Sequence, residues 1–380
     1  MGRRIVCIVL LAGVLLGMVP PVRALEVGAP SAILMDAATG TVLWEKESHD
    51  RRPPASVTKI MTLLLVMEAL DTGRISWEDT VTASETAAAK GGSQVYLEAG
   101  EQMSMDEMLK SVVVSSANDC ATALAEYVAG SEEAFVEQMN QRAAELGMQD
   151  THFVNCTGLD DEPDAAEHLT SAYDIALMSR ELLRHDGIRK YTTIWMDTVR
   201  DGQFGLSNTN KLVRFYDGTT GLKTGYTSGA GHCLSATAQR DGMELIAVVL
   251  GCDSSTTRFA SAKALLDYGF ANYALTEIAD QPLDPIPVTL GVENQVTPVL
   301  ADDTPLLIDK GLKGSVTCET ELPETVAAPV APGQELGCLV VRMAEQELAR
   351  IPLVAREGVA QQSLWQVLGR IGRHLCMCGD

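Results

Sequence analysis

The chain has 380 residues, enough for one large domain and a smaller one, each with its own core. Its formal charge is −22, with 51 acidic against 29 basic side chains, which argues against nucleic acid as a partner and against anionic lipid over most of its area. The acidity points to no particular substrate.

Residues 1–24 stand apart from both domains. Arg3 and Arg4 precede an apolar run over 5–19, Pro20-Pro21 follows, and Val22-Arg23-Ala24 fits a small-residue cleavage site. That is the layout of a secretory signal peptide, and the run is short for a membrane span. Export with cleavage after Ala24 is expected. Taking the three positive charges of Arg3, Arg4 and Arg23 from −22 leaves the remainder near −25.

Segments 32–35 and 42–44 flank the turn Asp36-Ala37-Ala38-Thr39-Gly40 and predict a strand pair. After Arg51-Arg52-Pro53-Pro54 a helical pattern starts, carried by Ile60, Leu63, Leu64, Met67 and Leu70, with Ser56 in its first turn. Helical spacing returns over 105–129, interrupted at Ser115-Ser116-Ala117-Asn118, and again over 132–146 and 171–183. Beyond Ile188 the pattern turns to strands. Lys223-Thr224-Gly225 opens a strand region, 234–238 and 245–250 bracket the hairpin turn Arg240-Asp241-Gly242, and 258–268 reads as an amphipathic helix. Strands at both ends with helices between them predict an α/β domain over 25–282.

Residues 282–287 read as a linker. The short β-type runs 286–290, 305–308, 315–318, 336–342 and 349–354 predict a small C-terminal all-β domain over 283–356. Within 357–380, Leu364, Trp365, Val367, Leu368, Ile371 and Leu375 form one helical stripe beside Arg370, Arg373 and His374. A basic amphipathic tail helix in so acidic a chain suits a membrane surface. Packing on its own domain and a dimer contact are the alternatives.

Eight cysteines follow the leader. Cys120, Cys233 and Cys252 fall in apolar patterns and read as buried free thiols, while Cys318 and Cys338 are candidates to meet across the β domain. Cys376-Met377-Cys378 lacks further ligands for zinc. The acidic run Asp160, Asp161, Glu162 and Asp164 has no EF-hand spacing and reads as solvated charge; His232 reads as packed beside a strand. No metal site and no cofactor are expected.

Three strings carry chemistry. Ser56-Val57-Thr58-Lys59 places a lysine one helical turn after a serine, on nearly the same face. A lysine acts as a base only when burial or neighbouring positive charge lowers its pKa. Ser56 then loses its proton while attacking a carbonyl, forming an acyl-enzyme, with its own N–H as one oxyanion donor. Ser116-Ala117-Asn118 adds a hydroxyl for proton relay and an amide to hold Lys59 and the substrate's peptide bond. On a strand edge, Lys223 and Thr224 offer a cation and a hydroxyl to a carboxylate, and Gly225 lets a ligand backbone approach. The N–H of Tyr226 is the second oxyanion donor in this reading. Each string alone also reads as a cap, a turn or a loop. Together they read as serine acyl transfer.

Ser-x-x-Lys, Ser-x-Asn and Lys-Thr-Gly in this order resemble penicillin-binding proteins and serine β-lactamases. With Arg52-Pro53-Pro54-Ala55-Ser56, Ser116-Ala117-Asn118-Asp119, Thr151-His152-Phe153, Gly158-Leu159-Asp160 and Leu222-Lys223-Thr224-Gly225, the chain from about residue 28 to its tail is similar to a narrower group. These are the low-molecular-mass penicillin-binding proteins, the exported serine-type D-alanyl-D-alanine carboxypeptidases.

The resemblance implies a catalytic domain of the penicillin-binding and serine β-lactamase-like fold, a sheet flanked by helices. It implies attack by Ser56 on the penultimate D-alanine of peptidoglycan stem peptides, release of terminal D-alanine, and inhibition by β-lactams. Lys59 carries over as acylation base, with Ser116, Asn118, Lys223 and Thr224 as helpers. Two positions depart: Tyr226 stands where some members have His, and Asp253 where some have an arginine for the substrate carboxylate. Arg258 nearby reads as structural. A β-lactamase, an endopeptidase cutting cross-links and a non-catalytic penicillin-binding scaffold are the alternatives.

Overall fold

The computed structural model describes residues 25–161, 164–276, 283–301, 306–311, 316–343 and 346–368. The expected leader and the end of the tail, with Arg370, Ile371, Arg373, His374, Leu375, Cys376 and Cys378, lie outside the described residues.

Five strands build the central sheet: β1 (Ser31–Asp36), β2 (Val42–Lys46), β3 (Thr219–Thr227), β4 (Gly231–Arg240) and β5 (Met243–Cys252). They lie in the order β2-β1-β5-β4-β3, every neighbouring pair antiparallel. Residues 32–35 of β1 and 245–250 of β5 are apolar without a break because both sheet faces are covered. Ile33, Met35, Ile246, Val248 and Leu250 join the larger core on one side; Leu34, Leu245, Ala247 and Val249 join a second core on the other. The expected β4–β5 turn forms, with Asp241 and Gly242 both at positive φ, as a tight two-residue hairpin loop requires.

Five of the described helices cover the sheet or carry site residues: α1 (Lys59–Asp71), α2 (Met105–Val114), α3 (Asn118–Ala129), α4 (Ala172–Leu182) and α5 (Ser255–Asn272). α5 supplies Ala262, Leu265 and Leu266 to the second core, and the others contribute to the first. α1 follows a single 3-10 turn, Ala55–Thr58, and buries residues on every face from Ile60 to Val66, so it runs through the helical layer rather than over it. Ser104 caps α2 through the Glu107 N–H, and the break before α3 leaves Ser116 at φ 65°. Past Ile188 the helical pattern persists, contrary to expectation. Asp186–Thr192 is a helix that buries Ile188 and Tyr191 on one side. The strand pairs Thr80–Thr82 with Gln102–Ser104, and Met196–Val199 with Phe204–Ser207, are too short to have shown a period of two.

The C-terminal part is all β among its described residues up to 361. Pro298–Leu300, Gln346–Ala355, Glu335–Met343 and Val316–Glu321 form an antiparallel sheet; Gln295–Val296, Ile286–Thr289 and Val326–Ala327 form a smaller one. Tyr273–Thr276 leaves α5 and pairs with Leu306–Asp309, which ties the two parts of the chain together. The described tail is helical only over 364–368, with Leu364 and Trp365 exposed. Among the described residues no helix is long and apolar enough to cross a membrane.

Cys120, Cys233 and Cys252 are buried free thiols, and so is Cys156. Cys318 and Cys338 do not meet. They lie on paired strands, but Cys318 faces Val341 and Cys338 faces Glu321. That offset is roughly 10 Å along the strands, beyond the reach of a disulfide. Alkylation of the native protein without reductant, followed by peptide mapping, is expected to modify Cys318 and to leave Cys120, Cys156, Cys233 and Cys252 unreacted until unfolding. Recovery of a Cys318–Cys338 cross-linked peptide would overturn this register.

Candidate active site

Lys59 opens α1 inside the helical layer and is fully buried. Its amine donates to Ser56 Oγ at 3.0 Å and to the Thr157 carbonyl at 2.7 Å. Burial disfavours the ammonium form and pulls the pKa down to about 7, against the smaller opposing pull of Cys156 and Asp119. Ser56 is only half-buried, so its hydroxyl stays reachable beside an amine that is partly neutral at pH 7.

Asn118 does not hold Lys59, contrary to expectation. Its Nδ2 donates to the Gly91 carbonyl at 2.7 Å, its backbone N–H donates to Ser93 at 2.7 Å, and its Oδ1 is buried without a partner. The main chain at Thr157 takes the holding role. Side-chain type gave no signal of it, because every residue carries a carbonyl. Asp119 accepts the N–H groups of Val95 and Leu97, so the segment beside Asn118 is fastened to the start of α3.

The second and third strings meet at one hydrogen bond. The left-handed backbone at Ser116 brings its Oγ to 2.8 Å from Lys223 Nζ, which also donates to the Thr224 carbonyl at 3.1 Å. Burial first, then the positive charges of Lys59 and Arg258, holds the Lys223 pKa well below its ordinary value. Thr224 Oγ1 donates to Thr209 Oγ1 at 2.6 Å.

Gly225 has a use besides the one expected. A Cβ there would lie 2.7 Å from the Pro54 carbonyl and 3.0 Å from Ser56 N. The backbone that approaches the strand edge is this chain's own, and the missing side chain is what seats the Ser56 turn against β3.

Arg258 has the structural role read for it. It is buried on α5, and its Nη1 donates to the carbonyls of Gly225 at 3.1 Å and Cys233 at 3.2 Å. In a planar trans peptide C=O and N–H point opposite ways. The Gly225 carbonyl therefore faces Arg258 and β4, and the Tyr226 N–H projects off the sheet edge toward the Ser56 turn. The Tyr226 ring is exposed and stacks on His232, with centroids 4.4 Å apart. Arg52, Tyr226, His232 and Asp253 help to line a cavity of about 410 Å³. Among the described residues no group of three or more His, Cys, Asp or Glu side chains could hold a metal ion.

The eight residues named from sequence thus converge on one place. Ser56 bonds to Lys59 and Ser116 to Lys223, Gly225 seats the serine turn, Asn118 follows Ser116 on α3, and Thr224 and Tyr226 lie on the same edge strand. An alcohol, a neutral-tending amine and outward-facing amide N–H groups suffice for nucleophilic acyl transfer.

A family model described as D-alanyl-D-alanine carboxypeptidase matches residues 18–254, and one described as the C-terminal domain of penicillin-binding protein 5 matches residues 278–361. The chain belongs to the D-alanyl-D-alanine carboxypeptidase family. The D-alanyl-D-alanine carboxypeptidase DacF of Bacillus subtilis is 41% identical over 348 residues, covering 90% of this chain and 88% of the relative. Penicillin-binding protein 5 from Haemophilus influenzae superposes with a TM-score of 0.80 at 31% identity, covering 88% of this chain and 98% of that one. Penicillin-binding protein D2 from Listeria monocytogenes, solved in an ampicillin-bound form, superposes with a TM-score of 0.59 at 30% identity, covering 64% and 98%. The fold expected from the three strings is the fold of this carboxypeptidase family.

The Lys59 pKa sets a pH dependence for this family member. The amine accepts a proton only when neutral, so the rate of acylation by a fluorescent penicillin is expected to climb with pH through about 7 and then level. A profile flat across that range would remove Lys59 as the base.

Proposed function

We infer that this protein is a serine-type D-alanyl-D-alanine carboxypeptidase that removes the terminal D-alanine from peptidoglycan stem peptides. The observation that carries the reading is the 3.0 Å contact between Ser56 Oγ and a lysine amine whose pKa burial has lowered to about 7. Lys59 takes the proton as Ser56 Oγ attacks the penultimate D-alanine carbonyl. The N–H groups of Ser56 and Tyr226 receive the charge that develops on the oxygen. The tetrahedral centre collapses to an acyl-enzyme, and D-alanine leaves with a proton delivered by way of Ser116. Water then hydrolyses the ester.

The remaining groups bind. Asn118 Oδ1, buried and unpartnered, is available to a backbone N–H of the substrate. Lys223 takes the terminal carboxylate, whose negative charge favours the ammonium form that burial disfavours, and the Thr224 hydroxyl joins it by turning its hydrogen away from Thr209. A β-lactam offers a strained amide to the same serine, and the ampicillin-bound relative supports that use of the site.

Peptidoglycan lies outside the cytoplasm, and the enzyme acts there. On our reading residues 1–24 are a cleaved export signal, 25–282 the catalytic domain, 283–356 the β domain, and 357–380 a segment lying on the membrane surface. Exposed Leu364 and Trp365 support the last assignment.

Replacing Ser56 with Ala is expected to abolish both D-alanine release from a peptide ending in D-Ala-D-Ala and covalent labelling by fluorescent penicillin. Persistence of either would sink the mechanism. Deleting residues 363–380, which spares Val359 in the β-domain core, is expected to move the protein from the membrane pellet to the soluble fraction with its carboxypeptidase activity intact. Continued sedimentation with membranes would remove the anchor role.

A further inference from the structure

We propose that His168, acting through Thr58, is a positioning residue for acyl transfer: it fixes the Ala55 carbonyl and thereby aims the Ser56 N–H at the developing oxyanion. The inference rests on the reading of Ser56 as nucleophile and first oxyanion donor, and adds two residues to which that reading gives no part.

His168 is buried ahead of α4, far in sequence from the serine turn. Its Nε2 lies 2.7 Å from Thr58 Oγ1, Thr58 Oγ1 donates to the Ala55 carbonyl at 2.9 Å, and the Val154 N–H donates to His168 Nδ1 at 3.1 Å. Proton bookkeeping along this chain has one solution. Thr58 has a single hydroxyl hydrogen, spent on Ala55, so its oxygen accepts from His168 Nε2–H. Nδ1 already accepts from Val154 and carries no hydrogen. Both ends demand the same neutral tautomer. Burial, helped by the positive charges of His152 and Lys59, pushes the ring's pKa down to about 4 and keeps it in that form at neutral pH.

The carbonyl so held is gripped a second time. Gly158, at φ +83°, packs its Cα directly on it: a Cβ there would lie 1.8 Å from the Ala55 oxygen. Ala55 itself sits at φ 49°, a left-handed conformation that costs a non-glycine residue energy and persists only where its surroundings impose it. The Thr58 hydroxyl and the Gly158 backbone are those surroundings. Because the Ala55–Ser56 peptide is planar and trans, turning its C=O inward onto Thr58 turns the Ser56 N–H outward. Ser56 N faces the edge of β3 at Gly225, the same edge from which the Tyr226 N–H projects. Release of the carbonyl would let the peptide plane rotate and lower the donor out of line, with the Ser56–Lys59 contact still available.

The test compares Thr58→Val and His168→Asn, which remove the hydroxyl and the Nε2 donor, with Thr58→Ser and His168→Gln, which keep a donor at each place. In the purified protein, the first pair is expected to slow acylation by fluorescent penicillin about 10- to 100-fold and to weaken binding of a boronic acid that forms a tetrahedral serine adduct by a similar factor. KM for the D-Ala-D-Ala peptide should move less than about threefold. The conservative pair should recover most of the rate, and the double variant Thr58→Val with His168→Asn should be about as slow as either alone. If His168→Asn does not fold, the isosteric Thr58→Val carries the same readouts. Acylation and boronate affinity within about threefold of wild type in folded Thr58→Val would overturn the proposal, whatever its melting temperature. Loss confined to KM would overturn it as well. The two readings fail separately: D-alanine release by Ser56→Ala sinks the functional assignment, whereas an inactive Ser56→Ala beside a fully active Thr58→Val sinks only the positioning role.

Discussion

Two lysine amines leave water where helix α1 meets the edge of the sheet, and their hydrogen bonds go to neutral oxygens. Lys59 donates to a serine hydroxyl and a main-chain carbonyl, and Lys223 does the same with Ser116 and Thr224. Burial of an ammonium costs more than two neutral acceptors return, so both amines hold their protons less tightly than in water. Much of the architecture follows from that requirement. α1 has to be apolar on every face to carry Lys59 inside, and the core around it has to be large enough to absorb the loss of stability. The charge of Lys59 on this strand-and-helix seam also lowers the hold of Lys223 on its proton.

Around that electrostatic centre the backbone is packed more closely than side chains permit. Gly158 and Gly225 press on the Pro54–Ser56 turn from two sides, one on the Ala55 carbonyl and one beside the Pro54 carbonyl and Ser56 N. Carbonyls turned inward are satisfied by buried donors, Thr58 for Ala55 and Arg258 for Gly225, while the amides on the same peptide planes face outward. A site built this way holds its donors by peptide planarity and packing, which cost no reorganisation during reaction.

Much of the fold was legible because its signals are local. An unbroken apolar run, Leu245–Leu250, beside Arg240-Asp241-Gly242 announces a covered strand and a tight hairpin, and both form. Prolines ahead of a helical stripe mark the start of α1. Other features depend on partners distant in the chain. The helix at Asp186–Thr192 owes its stability to the core it buries Ile188 and Tyr191 against, and the Cys318–Cys338 offset is set by strand register. The Gly91 partner of Asn118 and the close packing at Gly225 depend on distant segments for the same reason: which oxygen or backbone lies beside a residue is a matter of packing.

By itself the sequence determined the chemistry: a serine one helical turn before a lysine, with Ser-x-Asn and Lys-Thr-Gly, names the groups needed for acyl transfer and the family that carries them. It determined these things because residue type and local spacing suffice to specify functional groups and one helical face. The tertiary structure alone decided that Thr157 rather than Asn118 holds Lys59, that Lys59 is dry enough for a pKa of about 7, and that His168 reaches Thr58. Burial and main-chain hydrogen bonds arise between segments about 100 residues apart. No local pattern encodes them, because every residue brings the same carbonyl and its solvation depends on what the rest of the chain packs around it.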